Sequence, residues 1–258
     1  MKIVCLDLEG VLVPEIWIAF SERTGIPELR RTTRDEPNYD TLMKYRLGIL
    51  AEHGLGLPDI QKVIGELSPF AGAKDFLDKL REDYEVIILS DTFYEFAHPL
   101  MRQLAWPTLF CHSLEVDAVG TVVNYRLRMP EQKREAVKRF REMNFTVVAA
   151  GDSYNDTAML GEAHAGILFH PPENVVREFP QFPVTRDFDA LLRALGVVSA
   201  ATAVLGLLLW GCLKLRHLLG AHGEQVAHLE VAGIALLGWL SRRKDQTCEQ
   251  GCLLHQSL

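Results

Sequence analysis

The hydrophobic residues of this chain form short continuous runs, and segments of helical periodicity separate these runs. The runs at residues 3–8, 85–89 and 145–150 show no alternation of apolar and polar positions, so we predict strands that are covered on both faces. A further strand is predicted at 165–169. Strands that alternate with helices indicate an α/β fold with a Rossmann-like, mainly parallel sheet.

The same pattern places helices behind these strands. They are predicted at 73–83, 93–104, 131–143, 155–162 and 187–195. A short strand at 108–111 and a hairpin at 113–127, with its turn near Gly120, complete the predicted core domain. This core comprises residues 1–13 and 73–193.

The segment between the first strand and Ala73 has helical patterns and no predicted strand. We call residues 14–72 the insertion. Helices are predicted within it at 16–24, 39–53 and 58–67, with a polar loop at 32–38. Because these helices lie outside the alternation of strands and helices, we expect the insertion to form a separate small helical cap over the core.

An apolar tail, residues 194–258, follows the predicted core. Residues 194–213 carry no charge and are long enough to span a bilayer as a helix, whereas the second apolar run at 231–240 is short. One interpretation is a membrane anchor that contacts the bilayer through 194–240 and holds a catalytic domain on the cytoplasmic face. Others are a buried helical hairpin or oligomerisation element, consistent with a homodimer, and an accidental extension beyond the enzyme.

Composition narrows the classes of partner. The chain has 258 residues and a net charge of -7, which argues against nucleic acid as a partner because phosphate backbones are bound by a surplus of Lys and Arg. Its five cysteines have no framework spacing and suit a reducing, cytoplasmic compartment. We see no basic segment followed by an apolar run at the N-terminus, so we expect no secretory signal.

Polar clusters follow three of the predicted strands, at the edge where open α/β sheets bind ligands. Asp7 and Glu9 follow the first strand, Ser90 the second and Asp152 the third. Residues two apart in an extended segment point to the same side, and two carboxylates this close repel each other unless a cation is present. Oxygen ligands of this kind suit a hard divalent ion, so we predict Mg²⁺.

Each of these residues also has a simpler interpretation. Asp7 alone could make a turn hydrogen bond at the end of a strand. Ser90 could cap the helix that follows it, and Lys133 could be a solvated lysine on a helix surface. In the catalytic interpretation, Lys133 neutralises a phosphoryl oxygen during transfer.

The four motifs resemble, in order, those of the haloacid dehalogenase superfamily. They are Asp7-Leu-Glu-Gly-Val11, Ser90-Asp-Thr-Phe93, Lys133 and Gly151-Asp-Ser-Tyr-Asn-Asp156. Within that superfamily the chain is most similar to the phosphoserine phosphatases that also act as homoserine phosphotransferases, from Met1 to about Leu192.

The resemblance implies roles for the acidic residues. Asp7 would be the nucleophile that forms an aspartyl-phosphate, and Glu9 would be the general acid and base. Most of the superfamily has Asp at the position of Glu9, but Glu is itself a feature of the bifunctional group. Asp7, the backbone carbonyl of Glu9, and Asp152 would hold Mg²⁺, while Asp156 would orient the ligands of the metal.

The resemblance also implies how the phosphate end of the substrate is bound. Ser90 and Lys133 would hold the phosphoryl oxygens, and Asn155 would contact the same end. Asp91 and Thr92 stand where ordinary phosphoserine phosphatases have two glycines, and we expect both to line the substrate site.

In the insertion, Glu15 matches the residue that meets the ammonium of phosphoserine, and Arg46 matches the one that binds its carboxylate. A guanidinium suits a carboxylate because it offers two parallel hydrogen bonds. Met43 lies one helical turn before Arg46 and would line the same face, unless it packs in the core.

The predicted function is therefore a Mg²⁺-dependent phosphoserine phosphatase that can also transfer the phosphoryl group to homoserine. One alternative is a phosphatase of the same superfamily acting on another small phosphomonoester. The other is a non-catalytic, membrane-tethered phosphoacceptor module.

Overall fold

The computed structural model describes residues 1–32, 35, 36 and 38–196. In this part of the chain one sheet lies at the centre of the molecule. Its strands in chain order are β1 (Lys2–Leu6), β2 (Glu85–Phe93), β3 (Thr108–Val116), β4 (Val122–Arg126), β5 (Thr146–Gly151), β6 (Ala165–Phe169) and β7 (Val184–Thr185). Across the sheet they are ordered β4-β3-β2-β1-β5-β6-β7.

Helices precede or follow most of these strands. They are α1 (Ile16–Thr24), α2 (Tyr39–Glu52), α3 (Leu57–Gly65), α4 (Ala73–Leu80), α5 (Tyr94–Gln103), α6 (Gln132–Glu142), α7 (Tyr154–Glu162) and α8 (Glu173–Glu178), with a 3-10 helix at Pro27–Arg30. Residues 188–196 are also helical. Every strand pair is parallel except the hairpin of β3 and β4. The predicted α/β fold with a mainly parallel sheet is confirmed.

Strand β1 explains why the sequence shows no alternation at its central strand. Val4 and Leu6 pack into one hydrophobic core, and Ile3 and Cys5 pack into a second core on the opposite face of the sheet. Successive side chains of a strand point to opposite faces, so a strand covered on both faces needs apolar residues at every position. Each fully buried aliphatic side chain stabilises the fold by roughly 1.5–3 kcal/mol.

Two strands were longer than predicted, and one short helix and one short strand were missed in addition to the 3-10 helix. Strand β2 continues through Ser90 to Phe93, and β3 runs without a break from Thr108 to Val116; polar residues within both strands ended the apolar pattern early. Helix α8 and strand β7 have six and two residues. They are too short to show a period in the sequence.

The insertion begins after β1 and ends before α4, and it contains α1, α2, α3 and the 3-10 helix. Its two ends meet where the Phe70 backbone N–H donates to the Leu12 carbonyl at 2.9 Å. We call this pair of connections the neck. The helical content of the insertion agrees with the sequence, and its description as a separate cap domain stays a prediction.

The hairpin of β3 and β4 forms hydrogen bonds with the insertion. The Leu57 backbone N–H donates to the Gly120 carbonyl at 2.8 Å, and the Tyr125 hydroxyl donates to Asp40 Oδ1 at 2.6 Å. Gly120 has a φ of +93°, a conformation that side chains rarely adopt and that turns its carbonyl toward α3. The insertion also packs against α5, where the Trp17 and Phe96 ring centroids are 5.3 Å apart and Gln61 Nε2 donates to the Glu95 carbonyl at 2.9 Å. It is therefore joined to the core at the neck, at the hairpin and along α5.

The predicted membrane-spanning segment at 194–213 lies almost entirely outside the described residues, as does the apolar run at 231–240. Within residues 1–32, 35, 36 and 38–196, the structure has no helix with the length and apolar character that a membrane span requires. The predicted membrane contact and the predicted homodimer stay predictions.

Candidate active site

The polar ends of three neighbouring strands meet at one edge of the sheet. Because β1 lies between β2 and β5, the parallel order brings Asp7, Ser90 and Asp152 to the same side of the molecule. A cavity of about 780 Å³ opens there, between this edge, the start of α6 and the insertion. We call this cavity the cleft.

The cleft gathers nearly all of the residues that the sequence predicted. Those that line it are Asp7, Glu9, Glu15, Arg46, Ser90, Asp91, Thr92, Lys133, Asp152 and Asn155. Two predicted residues do not line it. Asp156 is buried directly beneath it, and Met43 is fully buried in the hydrophobic core.

Three carboxylates form the acidic centre of the site. Among the described residues, Asp7, Asp152 and Asp156 each offer an oxygen that lies within 4.8 Å of the others. Asp156 Oδ2 accepts the backbone N–H groups of Asp152 at 2.9 Å and Ser153 at 3.1 Å. These two hydrogen bonds fix the turn after β5 and with it the position of Asp152.

The electrostatics of this centre suit a hard cation. Burial, followed by the charge of Asp156, raises the pKa of Asp7 well above its usual range. Such mutual destabilisation of carboxylates is relieved when a divalent ion lies between them. The residues therefore fit Mg²⁺, with Asp7 and Asp152 as side-chain ligands and Asp156 as the group that orients them.

Lys133 is a buried part of the site, so its interpretation as a solvated surface lysine is wrong. Its side chain is 5 % exposed, and its ammonium lies 3.0 Å from Asp7 Oδ1 and 2.8 Å from Asp156 Oδ1. Burial alone would lower the pKa of Lys133, but the charges of Asp156, Asp7 and Asp91 outweigh burial and raise it well above its usual value. Lys133 is therefore a fixed positive charge beside Asp7.

Ser90 and Thr92 lie in an irregular part of β2. The register between β2 and β3 shifts between Leu89 and Phe93, and irregularities of this kind commonly reorient side chains next to active sites. The Thr92 backbone N–H donates to Ser90 Oγ at 3.3 Å. The N-cap of α5 is Phe93, so the alternative that Ser90 caps this helix is wrong.

The Glu9 side chain is not part of the acidic centre. Glu9 Oε2 accepts the backbone N–H of Ile16 at 2.9 Å, and the side chain also hydrogen bonds with Thr92. Burial, together with the charge of Glu15, raises the pKa of Glu9 to about 7. A carboxyl group with this pKa can donate and accept a proton near neutral pH, as a general acid and base must.

Arg46 provides a positive charge at the insertion side of the cleft. Its guanidinium lies over the Trp17 ring, with 4.4 Å between Cζ and the ring centroid, and its Nη2 donates to the Arg31 carbonyl at 2.7 Å. Arg46 Nε is buried with no hydrogen-bond partner within the described residues. Burial lowers the pKa of Arg46 to about 10.

The Met43 side chain contacts the guanidinium of Arg46. Its sulfur lies 3.8 Å from Arg46 Nη1, which donates to it. The structure does not bring Met43 to the cleft, because the thioether packs in the core. Glu15, in contrast, lies at the start of α1 and lines the cleft with Arg46.

Comparison with known proteins decides the family. A family model described as haloacid dehalogenase-like hydrolase matches residues 1–164. The chain belongs to the haloacid dehalogenase-like hydrolases. It is 64 % identical over 193 residues to phosphoserine phosphatase ThrH of Pseudomonas aeruginosa, which covers 75 % of this chain and 94 % of that protein. It is 63 % identical over 191 residues to a phosphoserine phosphatase of Pseudomonas syringae pv. tomato, covering 74 % and 81 %.

A solved structure agrees with the haloacid dehalogenase-like fold. A substrate-bound phosphoserine phosphatase complex matches with a TM-score of 0.64 and 20 % sequence identity. The match covers 75 % of this chain and 97 % of that one. At this identity the likeness concerns the fold.

The site of this haloacid dehalogenase-like hydrolase includes residues that the sequence did not indicate. Tyr39, His112 and Gln132 also line the cleft. His112 lies within strand β3, and Gln132 is the first residue of a polar helix. Neither residue differs enough from its neighbours in the sequence to mark a site. The position of Gln132 next to Lys133 was the available signal.

Gly10 gives a first testable prediction for this family member. Its φ is +78°, and a Cβ atom there would lie 2.4 Å from Asp152 Cγ. Gly10→Ala should therefore destabilise the fold by about 1–3 kcal/mol and displace Asp152. We expect Mg²⁺ affinity to fall at least about tenfold, since Asp152 is one of the two carboxylates that would hold the ion. Calorimetric titration and thermal unfolding measure the two effects.

Gly48→Ala is the matched control for this substitution. Gly48 lies within α2, and a Cβ atom there would have no neighbour within 4 Å. Alanine in a helix interior stabilises by roughly 0.5–1 kcal/mol relative to glycine, so Gly48→Ala should keep full Mg²⁺ affinity. Unchanged Mg²⁺ affinity in Gly10→Ala would contradict the role assigned to Asp152.

Proposed function

We propose that this protein is a Mg²⁺-dependent phosphoserine phosphatase that works through an aspartyl-phosphate on Asp7. The observation that carries the proposal is the presence of Asp7 and Arg46 in one cleft. Such a cleft offers a nucleophile for a phosphate group and a guanidinium for a carboxylate. The two relatives from Pseudomonas that are named phosphoserine phosphatases support the same substrate.

In the first step, an oxygen of Asp7 attacks phosphorus and the bond between phosphorus and the serine oxygen breaks. Glu9 in its protonated form gives a proton to that oxygen, so serine leaves as a neutral alcohol. Lys133 and Ser90 bind phosphoryl oxygens and stabilise the charge that develops on them. Bound Mg²⁺ would supply further positive charge at the carboxylates and the phosphoryl group.

In the second step, Glu9 is ionised and acts as a base. It removes a proton from a water molecule, whose oxygen attacks phosphorus and breaks the bond to Asp7. Inorganic phosphate leaves and Asp7 is regenerated. If the hydroxyl of homoserine takes the place of water, the same step yields phosphohomoserine, because a covalent intermediate leaves the choice of acceptor open.

The insertion provides the groups that would distinguish phosphoserine from simpler phosphate esters. Arg46 is buried, its Nε has no hydrogen-bond partner in the part of the chain that the structure describes, and its planar guanidinium would bind the substrate carboxylate. Glu15 lines the same cleft, and its carboxylate would accept hydrogen bonds from the substrate ammonium. Both contacts are electrostatic and desolvated, which makes them strong and selective.

Substitution of Arg46 tests this assignment. Arg46→Ala should lower kcat/KM for phosphoserine about 100- to 1000-fold, because truncating one partner of a buried charge pair costs about 2–5 kcal/mol. Phosphoethanolamine keeps the ammonium and the phosphate and lacks the carboxylate, so its slower turnover should change less than about threefold. Steady-state kinetics with the two substrates measure the difference.

Arg102→Ala is the control, since Arg102 is an exposed residue at the end of α5. It should leave both substrates unaffected. Equal losses for phosphoserine and phosphoethanolamine in Arg46→Ala would instead favour a phosphatase that acts on another small phosphomonoester.

Product analysis tests the choice of acceptor. The enzyme is incubated with phosphoserine and Mg²⁺, with and without homoserine, and the products are separated. We expect phosphohomoserine to form only when homoserine is present. Release of inorganic phosphate alone would reject the transferase activity and leave the phosphatase assignment intact.

A further inference from the structure

The Asp91 carboxylate, at the edge of the cleft, is surrounded by three side chains of the protein. Gln132 Nε2 donates to Asp91 Oδ1 at 3.1 Å, and His112 Nε2 lies 3.6 Å from the same oxygen. The Lys133 ammonium lies 3.6 Å from Asp91 Oδ2. Both oxygens of Asp91 therefore face side chains of the protein, while the side chain, 34 % exposed, still lines the cleft.

The partners of Asp91 are themselves fixed. The Gln132 amide also donates to the Ser90 carbonyl, and its Oε1 accepts from Arg128 Nε at 3.1 Å. His112 Nδ1 accepts the Arg128 backbone N–H at 3.1 Å. In the neutral imidazole the proton is consequently on Nε2, which faces Asp91. Both side chains are buried, so they hold the carboxylate in one orientation.

Lys133 is the group that this arrangement acts upon. Its ammonium has three N–H donors and three carboxylates around it, Asp156 at 2.8 Å, Asp7 at 3.0 Å and Asp91 at 3.6 Å. Asp7 and Asp156 belong to the acidic centre, whereas Asp91 does not. Without Asp91, Coulomb attraction would draw the ammonium toward Asp7 and Asp156 alone.

We propose that Asp91, His112 and Gln132 are positioning residues that act through Lys133. Asp91, held by His112 and Gln132, shares the charge of the ammonium with Asp7 and so weakens the ion pair in which Lys133 lies 3.0 Å from Asp7 Oδ1. The Asp7 oxygens then interact more readily with the cation and with phosphorus. Asp91 thus acts on the position and the charge of the Lys133 ammonium and does not itself bind the substrate. The catalytic part of this inference rests on the proposed function, and the part that concerns cation binding does not.

Asp91→Asn tests the proposal and keeps the size of the side chain. Mg²⁺ affinity, measured by calorimetric titration without substrate, should fall about tenfold, because Lys133 then competes with the cation for Asp7. The kcat for phosphoserine should fall about tenfold with KM nearly unchanged, since the positioning concerns the reacting groups and not the ends bound by Arg46 and Glu15.

A double-mutant cycle separates this indirect role from a direct one. In a Lys133→Met background, Asp91→Asn should change Mg²⁺ affinity by less than about threefold, because the group through which it acts is gone. If the tenfold loss persists in that background, the Asp91 charge acts on the cation directly and the proposal is overturned. Unaltered Mg²⁺ affinity in Asp91→Asn alone overturns it as well.

Substitutions at His112 supply a second test that leaves the charge of the site unchanged. His112→Asn can still accept the Arg128 N–H but lacks a donor at the position of Nε2, whereas His112→Gln can place an amide N–H there. We expect weaker Mg²⁺ binding in His112→Asn and near wild-type binding in His112→Gln. Equal effects in the two variants would show a packing role only and contradict the proposal.

Glu115→Gln is the control for loss of a carboxylate at a position outside the cleft. Glu115 lies on β3 and forms an exposed ion pair with Arg126. Its substitution should change neither Mg²⁺ affinity nor kcat. Because Mg²⁺ binding is measured without substrate, a failure of the phosphoserine assignment would leave the double-mutant cycle interpretable.

Discussion

Turnover is expected to disappear in Asp7→Asn, with kcat reduced by at least about 10,000-fold. Loss of a catalytic nucleophile in enzymes that form covalent intermediates has effects of this size. The asparagine amide is a poor nucleophile and cannot form the aspartyl-phosphate, while the fold should persist because the side chain keeps its size. Phosphate release and protein-bound phosphate after acid quenching are the two measurements.

Asp83→Asn is the matched control for this variant, because Asp83 is exposed in the turn after α4 and does not line the cleft. Its activity should equal that of the wild-type enzyme. A non-catalytic phosphoacceptor module would show protein-bound phosphate in the wild type with no sustained turnover. Residual activity above about 1 % in Asp7→Asn would mean that another group attacks phosphorus.

The second largest effect is expected for Glu9→Gln, where kcat for phosphoserine should fall about 100- to 10,000-fold. Removal of a general acid or base has consequences in this range. Glutamine keeps the hydrogen-bond acceptor for the Ile16 N–H and cannot transfer a proton. Serine then leaves as an unprotonated alkoxide, which slows formation of the aspartyl-phosphate.

A substrate with a better leaving group separates the two roles of Glu9. With p-nitrophenyl phosphate the first step needs little acid catalysis, whereas attack by water still needs the base. Glu9→Gln should therefore release a burst of nitrophenol and accumulate the aspartyl-phosphate. Near wild-type turnover of p-nitrophenyl phosphate, without a burst, would assign Glu9 to the first step alone. Glu82→Gln, at an exposed position, should behave as wild type.

The acidic centre was predictable from the sequence because its residues follow continuous apolar runs. Asp7 comes directly after β1 and Asp152 directly after β5, and parallel order alone brings such strand ends together. The residue whose place in the site the sequence indicated least clearly was Lys133. From the sequence alone, a lysine in the first turn of a helix is expected to be solvated. The structure instead shows three carboxylates around Lys133.

The arrangement around Asp91 could not be predicted in the same way. It depends on the register shift in β2 and on the left-handed backbone of Glu131, with φ of 45°, directly before α6. Neither feature has a periodic signature. His112 joins the site only because β3 pairs with β2 as far as Phe93, and this pairing extends beyond the apolar run that marked the strand.

Entry of a substrate into the cleft depends on the contacts that join the insertion to the core. The neck joins the insertion to the core at one side, while the Leu57–Gly120 and Tyr125–Asp40 hydrogen bonds join them at the other. A pivoting movement about the neck would have to break these bonds together with others between the insertion and the core, such as the Tyr39–Asp91 and Gln61–Glu95 hydrogen bonds. Each hydrogen bond contributes a net stability of about 1 kcal/mol. The hairpin is thus one of several contacts that hold the insertion over the cleft, and their combined strength would set how often water reaches the phosphorylated aspartate.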